Sequence, residues 1–118
     1  MKKRSRLTAR SDFQRLLSGR RLYAAGTLVG FATAGRTSRT RVGVSASRQI
    51  RGAVARNRAR RRIREAARLR LLPDDSIARP AGITFDVVLI ARPPALTAAF
   101  SQIVSEVGEF GLRLGRSI

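Results

Sequence analysis

The stretch from Arg48 to Arg70 constrains this chain more than any other part of it. It holds ten arginines in 23 residues and a single acidic residue, Glu65. Small apolar residues recur in it at spacings of three and four, which is the period of an α-helix. These residues are Ala55, Ala59, Ile63, Ala66 and Leu69. Asn57 and most of the arginines fall on the opposite side, so the stretch predicts a helix that docks by its apolar side and presents a face of guanidinium groups.

The net charge indicates the kind of partner. The chain has 118 residues, enough for one domain with a modest core, and it carries a formal charge of +18 at pH 7. The positive side chains repel one another within the fold and attract the phosphate groups of nucleic acids. The counterions condensed on those phosphates are released on binding. We therefore expect a polyanionic partner and strongly salt-dependent binding.

The residue types exclude several kinds of chemistry. The chain has no cysteine and no histidine, so a disulfide, a catalytic thiolate or imidazole and a Cys/His zinc site are ruled out. The seven acids are scattered, and the adjacent Asp74 and Asp75 fit a solvated turn better than a metal site. We predict no catalytic residue and no metal bound by the chain itself. No stretch resembles a signal peptide or a bilayer span, which predicts a cytoplasmic protein without a membrane partner.

Apolar patterns and turn residues predict the elements of the first half. A first helix is expected from about Ser11 to Ser18, with Ser11 opening a capping box. Strands are expected over Thr27–Thr33 and Arg41–Ala46. The short loop between these two strands predicts an antiparallel hairpin.

The second half is expected to hold two longer helices and the central strand. The arginine helix is predicted from about Ala53 to Leu72, followed by a loop over residues 73–82. The apolar run Phe85–Ala91 is typical of a buried central strand. The last helix is predicted with Thr97 as its N-cap. Its apolar stripe consists of Leu96, Phe100, Ile103, Val107, Phe110 and Leu114.

Together these elements predict a small α+β protein in the order α-β-β-α-β-α, a single domain over residues 1–118 whose helices pack on a central mixed sheet. The second strand, the arginine helix and the third strand form a crossover unit. Residues 1–10 are predicted to be a flexible basic N-terminus. On the arginine helix, Arg61 and Arg62 precede Glu65 by four and three residues and are the predicted candidates for an ion pair with it, whereas Arg64 and Arg68 are not.

Four segments, taken in order, resemble the protein subunit of bacterial ribonuclease P. They are KKRSRL (Lys2 to Leu7) with Asp12-Phe13, RVGVSAS (Arg41 to Ser47), AVARNRARRRIRE (Ala53 to Glu65) and DVVLIARPP (Asp86 to Pro94). The resemblance implies a fold like ribosomal protein S5 domain 2, with a left-handed β-α-β crossover. It also implies the protein subunit of an endoribonuclease that removes the 5′ leader from precursor tRNA. In that enzyme the RNA subunit performs the chemistry with its own Mg²⁺, and the partners of the protein are ribonuclease P RNA and the single-stranded leader, not DNA.

The resemblance also implies two binding surfaces. The basic helix would contact the RNA subunit through Arg56, Asn57, Arg58, Arg60, Arg61, Arg64 and Arg68. A cleft between the first helix and the sheet would receive the leader through Phe13, Leu17, Phe31 and Arg48. Burial statistics alone favour a core position for both phenylalanines, and the resemblance favours the cleft. The chain departs from the family pattern at Leu17, where another aromatic is frequent, and at Arg51-Gly52, where Gly-Asn is frequent.

Three other interpretations compete with this one. A general RNA-binding or ribosome-associated protein would explain the charge and the layout, but not the ordered match of the four segments. A DNA-binding module would need base-reading side chains and a helix-turn-helix or dimer spacing, whereas here a strand precedes the basic helix. A self-contained nuclease would need a carboxylate cluster or a histidine.

Overall fold

The structure is a computed structural model that describes residues 6, 10–18, 21–71 and 84–116. The predicted loop over 73–82 and most of the predicted flexible N-terminus lie outside these residues. The elements of the described part, in chain order, are α1 (Arg10–Leu17), β1 (Arg21–Ala24), β2 (Leu28–Ala34), β3 (Arg41–Ala46), α2 (Ala53–Arg70), β4 (Phe85–Ala91), a 3₁₀ turn (Pro93–Leu96) and α3 (Phe100–Arg116).

The four strands form one mixed sheet in the order β1-β2-β4-β3. β4 lies in the interior of the sheet, antiparallel to β2 and parallel to β3. The predicted hairpin between β2 and β3 is therefore wrong, because β4 separates them. Six of the seven residues of β4 are buried, and an apolar strand gains most when it is paired on both edges and covered on both faces. β1 was not predicted, since its four residues carry no clear alternation.

The predicted α+β class and the crossover unit are confirmed. α2 connects the parallel strands β3 and β4, and it packs with α3 on one face of the sheet. Val87, Leu89 and Ala91 belong to the large core cluster on that face. The alternate residue Val88 belongs to a small cluster with Leu16 of α1 on the opposite face. The sheet thus separates a thick, apolar helical layer from a thin layer made by α1.

Two predicted helix starts are corrected. α1 begins at Arg10, so Ser11 lies inside the first turn and does not open a capping box. α3 begins at Phe100, and Thr97 instead ends the 3₁₀ turn, its N–H donating to the carbonyl of Pro94. Pro93 and Pro94 have a fixed φ that favours the 3₁₀ turn. The helix α3 therefore begins only after this turn.

α2 runs from Ala53 to Arg70, two residues shorter than predicted. Its N-cap is Gly52, which has a φ of 91° and makes no side-chain cap. Glycine adopts this left-handed conformation without the steric cost of a Cβ atom. The buried side of the helix is shifted from the predicted one, because Ala67 is buried and Leu69 is exposed. The shift reflects packing against two partners, the sheet and α3.

Candidate nucleic-acid interface

The outer face of α2 carries guanidinium groups that nothing in the described part of the chain neutralises. Arg58 and Arg61 are exposed on this face. Within residues 6, 10–18, 21–71 and 84–116, neither has a hydrogen-bond or ion-pair partner. Unpaired guanidinium forks suit the oxygens of phosphate groups, which they can bind with two parallel hydrogen bonds. This part of the predicted basic face is therefore available to an external anion.

A second group of arginines lies on the flank of α2 nearer β3. Arg6 forms an isolated parallel bridge with Val42 of β3, so this residue lies beside the sheet edge. Burial and the positive charges of Arg6 and Arg60 lower the pKa of Arg64 from its ordinary value. A guanidinium nevertheless keeps its proton at neutral pH. These three cations repel one another, and a polyanion bound there would relieve the repulsion.

Asn57 is already engaged with one of these arginines. Its side-chain oxygen accepts a hydrogen bond of 2.5 Å from Nη2 of Arg60, one helical turn further on. The bond uses the side-chain oxygen of Asn57, and the residue is exposed.

Arg56 differs from the neighbouring arginines of α2, because its guanidinium group turns inward. Nη1 donates to the carbonyls of Ser47 at 3.0 Å and Ile50 at 3.2 Å, and Nη2 donates to Ala46 at 3.1 Å. These bonds tie the first turn of α2 to the loop after β3. Arg56 was predicted as a contact to the RNA subunit, and the structure shows that several of its donors are used within the protein.

The ion pair of Glu65 differs from the prediction. Glu65 pairs with Arg68, with 2.6 Å between Oε1 and Nη2. The prediction that Arg68 is not a candidate partner is therefore wrong, because Arg68 follows Glu65 by three residues, which is a proper helical spacing. Arg62, one of the two predicted partners, instead donates to the carbonyls of Ala95 and Ala98, both at 2.6 Å.

On the opposite face of the sheet, the structure brings together the two phenylalanines predicted for the cleft. Phe13 of α1 and Phe31 of β2 both pack against the small cluster of Leu16 and Val88. Both rings are half-buried, so each combines packing with an accessible surface. Leu17, at the end of α1, is 42% exposed and is not part of the cluster.

Arg48 lies in the loop after β3, and its side chain is exposed. In the sheet register, the last residue of β3, Ala46, pairs with Ala91, and Ala91 pairs with Leu28 at the start of β2. Arg48 therefore follows β3 at the end of the sheet where β2 begins. Phe31, which pairs with Val88, lies further along β2 from that end.

A buried charge cluster on this face was not predicted. The carboxylate of Asp86 is fully buried and accepts hydrogen bonds from Arg41 at 2.8 and 3.1 Å and from Arg15 at 2.8 Å. Arg15 also donates to the hydroxyl of Thr33 at 2.8 Å. Burial alone would raise the pKa of Asp86, but the bonds from Arg41 and Arg15 outweigh it and hold this pKa below its usual value. The cluster joins α1 to β2, β3 and β4 on the same face of the sheet as the two phenylalanines.

The sequence contained a signal for this cluster. Asp86 is the only charged residue in the apolar run of β4, and a charge inside such a run is retained only when it is paired. The paired arginines stand far away in the sequence, 71 and 45 residues from Asp86, so their identity depended on the fold.

The acidic side chains of the described part are all engaged with other groups. Asp12 and Asp86 contact arginines of the buried cluster, and Glu65 and Glu109 pair within their own helices. Glu106 accepts from the backbone N–H and the hydroxyl of Thr27 at 2.9 and 2.8 Å. Asp74 and Asp75 lie outside the described residues.

Among the described helices, none has the length and apolarity that crossing a bilayer requires.

The fold and the exposed arginine face define this chain as a small α+β protein with a strongly basic helix face. The sequence profile of the Ribonuclease P family matches residues 1–115. The chain therefore belongs to the Ribonuclease P protein family, as the four segments had indicated.

Individual relatives and structures agree. The Ribonuclease P protein component of Roseiflexus castenholzii is 38% identical over 116 residues, covering 98% of this chain and 89% of that protein. The component of Ruegeria pomeroyi is 46% identical over 89 residues, 74% of this chain and 66% of its own length. The RNase P protein of Staphylococcus aureus superposes with a TM-score of 0.69 at 28% identity, covering 93% and 94% of the two chains. That of Thermotoga maritima, at 22% identity and a TM-score of 0.68, supports the fold alone.

Proposed function

We propose that this chain is the protein subunit of a cytoplasmic ribonuclease P and assists a catalytic RNA in removing the 5′ leader from precursor tRNA. The observation that carries the proposal is the unneutralised arginine face of α2 in a member of this family. Arg58 and Arg61 on one flank, and Arg60 and Arg64 on the other, would contact phosphates of the RNA subunit. Asn57 would contribute a hydrogen bond to a sugar or base edge.

For two residues of this face we propose roles other than a main phosphate contact. We assign Arg56 to holding α2 on the loop after β3, with RNA contact at most secondary, because three backbone carbonyls accept from it. Arg68 would contribute little to phosphate binding, since Glu65 already neutralises it.

The cleft between α1 and the sheet would hold the single-stranded leader of the precursor tRNA. Phe13 and Phe31 would stack on leader bases, and Arg48 would contact a leader phosphate. Leu17 would add an apolar contact at the exposed end of α1. The buried cluster of Asp86, Arg15 and Arg41 would keep α1 and the sheet at a fixed separation, so that the cleft is formed before the leader binds.

The chemistry would belong to the RNA. Mg²⁺ ions bound to the RNA subunit would supply the clamp on the attacking and leaving oxygens. The protein's described acids are committed to arginine, threonine or glutamine partners, so they offer no free carboxylate set for a metal ion. The protein would act by binding and positioning its RNA partners.

The test is cleavage of a precursor tRNA by a bacterial ribonuclease P RNA at low Mg²⁺, with and without this protein. We expect the protein to restore cleavage at the mature 5′ end, because its positive face replaces part of the screening that Mg²⁺ provides. Unchanged cleavage despite RNA binding would identify a general RNA-binding protein instead.

The leader cleft is tested separately with Phe31→Leu, which keeps an apolar side chain against Leu16 and Val88 but removes the ring. We expect binding of leader-bearing tRNA to fall by about fivefold or more, since a stacked base contributes about 1 to 3 kcal/mol. Leader-free tRNA is the control and should bind as before. Equal losses for both tRNAs would contradict the cleft assignment.

A further inference from the structure

A groove of about 620 Å³ lies between α2 and the start of α3, away from the leader cleft. Arg58, Arg61, Arg62, Glu65 and Phe100 line it. Its volume falls within the range of about 300 to 1,000 Å³ that is usual for pockets of small ligands. The groove borders the arginine face, but its aromatic wall comes from another helix.

The aromatic wall is unexpected from the sequence. Phe100 belongs to the predicted apolar stripe of α3, but it is 36% exposed and does not belong to either core cluster. The backbone that precedes Phe100 is held by α2, because the side chain of Arg62 donates hydrogen bonds to the carbonyls of Ala95 and Ala98. The ring is thus an accessible π surface beside the basic helix, carried by a backbone segment that α2 holds in place.

The charges around this ring favour an anion. Arg58 and Arg61 have no partner within the described part of the chain, whereas the one acid of the groove, Glu65, is bound to Arg68 at 2.6 Å. The groove therefore combines two uncompensated guanidinium groups with one aromatic face. A phosphate bound to an arginine and a base stacked on the ring would use both features at once.

We propose that this groove binds one unpaired nucleotide of the RNA subunit, with its base on Phe100 and its flanking phosphates on Arg58 and Arg61. The proposal rests on the proposed function and extends it, because it adds base stacking to a face otherwise limited to phosphate contacts. A second copy of this chain is disfavoured as the occupant, since each copy carries a charge of +18. An acidic peptide would satisfy the arginines but would leave the ring without a planar partner.

The first experiment uses Phe100→Trp as a fluorescent reporter, since the chain contains no tryptophan. The probe is a ribonuclease P RNA transcript added at fixed salt, with binding followed independently by the polarisation of a labelled RNA. We expect the fluorescence to be quenched as the RNA binds. The matched control is Leu112→Trp, on the same helix, 46% exposed and outside the groove lining; its fluorescence should stay unchanged.

The second experiment compares Phe100→Ala with Arg58→Ala and with Leu112→Ala. Loss of a stacked base should weaken RNA binding by about fivefold to a hundredfold in Phe100→Ala. The slope of log affinity against log salt should stay unchanged in that variant, because no phosphate contact is lost. Arg58→Ala should instead reduce the slope by about 1. Leu112→Ala should bind as the unaltered protein does. Thermal melting checks that the variants fold.

The outcomes separate the groove from the proposed function. RNA binding without quenching of Phe100→Trp, or with unchanged affinity of Phe100→Ala, overturns the groove alone. Quenching without stimulation of precursor-tRNA cleavage supports the groove and overturns the proposed function. Failure of the unaltered protein to bind the RNA overturns both.

Discussion

At the scale of single residues, neighbouring arginines of one motif do different work. Arg56 and Arg58 are separated only by Asn57, yet Arg56 turns inward to backbone carbonyls and Arg58 points to solvent. The difference follows from their positions around the helix, because two residues turn the side-chain direction by about 200°. Two arginines that lie close together in the sequence of α2 therefore need not have the same role.

This contrast gives a matched pair of variants. Arg56→Ala should lower the free energy of unfolding by about 1 to 3 kcal/mol, because carbonyls next to buried structure lose their donors. Arg58→Ala should leave it unchanged within about 0.5 kcal/mol, since surface changes away from such contacts have small effects. Urea unfolding of both variants measures the difference. Equal stabilities would show that the bonds of Arg56 do not contribute to the fold.

Asp86 is the residue whose removal should cost most on the cleft side of the sheet. Asp86→Asn leaves Arg15 and Arg41 without their shared carboxylate, and we expect a loss of about 3 kcal/mol at pH 7, typical of a broken buried pair. The matched control is Asp12→Asn, because Asp12 lies further from the same arginines, at 3.3 and 3.8 Å. It should cost about 1 kcal/mol or less.

The pKa of Asp86 also sets a pH dependence. The bonds from Arg41 and Arg15 outweigh burial and hold the folded-state pKa below the usual 3.8. The contribution of Asp86 to stability is therefore complete above pH about 4 and is lost as the pH falls through the lower, folded-state pKa. Unfolding curves at neutral and acidic pH should show the difference between the unaltered protein and Asp86→Asn shrinking on acidification. A difference that is constant down to pH about 2 would contradict this explanation.

At the scale of elements, close packing depends on two glycines in different settings. A Cβ at Gly30 of β2 would lie 2.5 Å from Cε1 of Phe110, a fully buried ring of α3. A Cβ at Gly108 of α3 would lie 2.7 Å from Nη2 of Arg70, the flexible end of an exposed side chain. The sheet contact is rigid, whereas the contact between the helices can adjust.

The two glycines should therefore respond oppositely to alanine. Gly30→Ala should lower the free energy of unfolding by about 1 to 3 kcal/mol, because the buried ring cannot move without disturbing the core. Gly108→Ala should raise it by up to about 1 kcal/mol, since alanine is the better helix former and Arg70 can move aside. Thermal or urea unfolding distinguishes them. A stabilised Gly30→Ala variant would show that α3 can shift away from the sheet.

At the scale of the whole molecule, the charge of +18 opposes folding and favours RNA binding. Self-repulsion is screened by salt, and so is the attraction to phosphates. The free protein and its complex should therefore respond to salt in opposite directions.

We expect the Tm of the free protein to rise between about 0.05 and about 0.5 M KCl, over which the Debye length falls to a few ångströms. Over the same range, RNA affinity should fall steeply, because each phosphate contact adds about 0.7 to 0.9 to the logarithmic slope. Differential scanning fluorimetry and RNA titration measure the two effects. A Tm that falls with KCl would show that attractive ion pairs, such as the Asp86 cluster, outweigh the repulsion.

The sequence by itself determined α2, β4 and the family, whereas it missed β1 and the exact starts of α1 and α3. Helical spacing placed α2 almost to the residue, the apolar run placed β4 in the interior of the sheet, and four ordered segments indicated the Ribonuclease P family. These features depend on interactions within a few residues or on a single buried strand, so a linear pattern carries them.

Tertiary structure alone decided which strands pair and which polar groups meet. β4 came between β2 and β3, because a strand with apolar side chains on both faces is most stable in the interior of the sheet. Asp86 pairs with Arg15 and Arg41, which lie 71 and 45 residues away in the sequence, and Phe100 is 36% exposed although it lies on the apolar stripe of α3. Such contacts join distant parts of the chain, and their partners are selected only when the sheet and its two helical layers pack together.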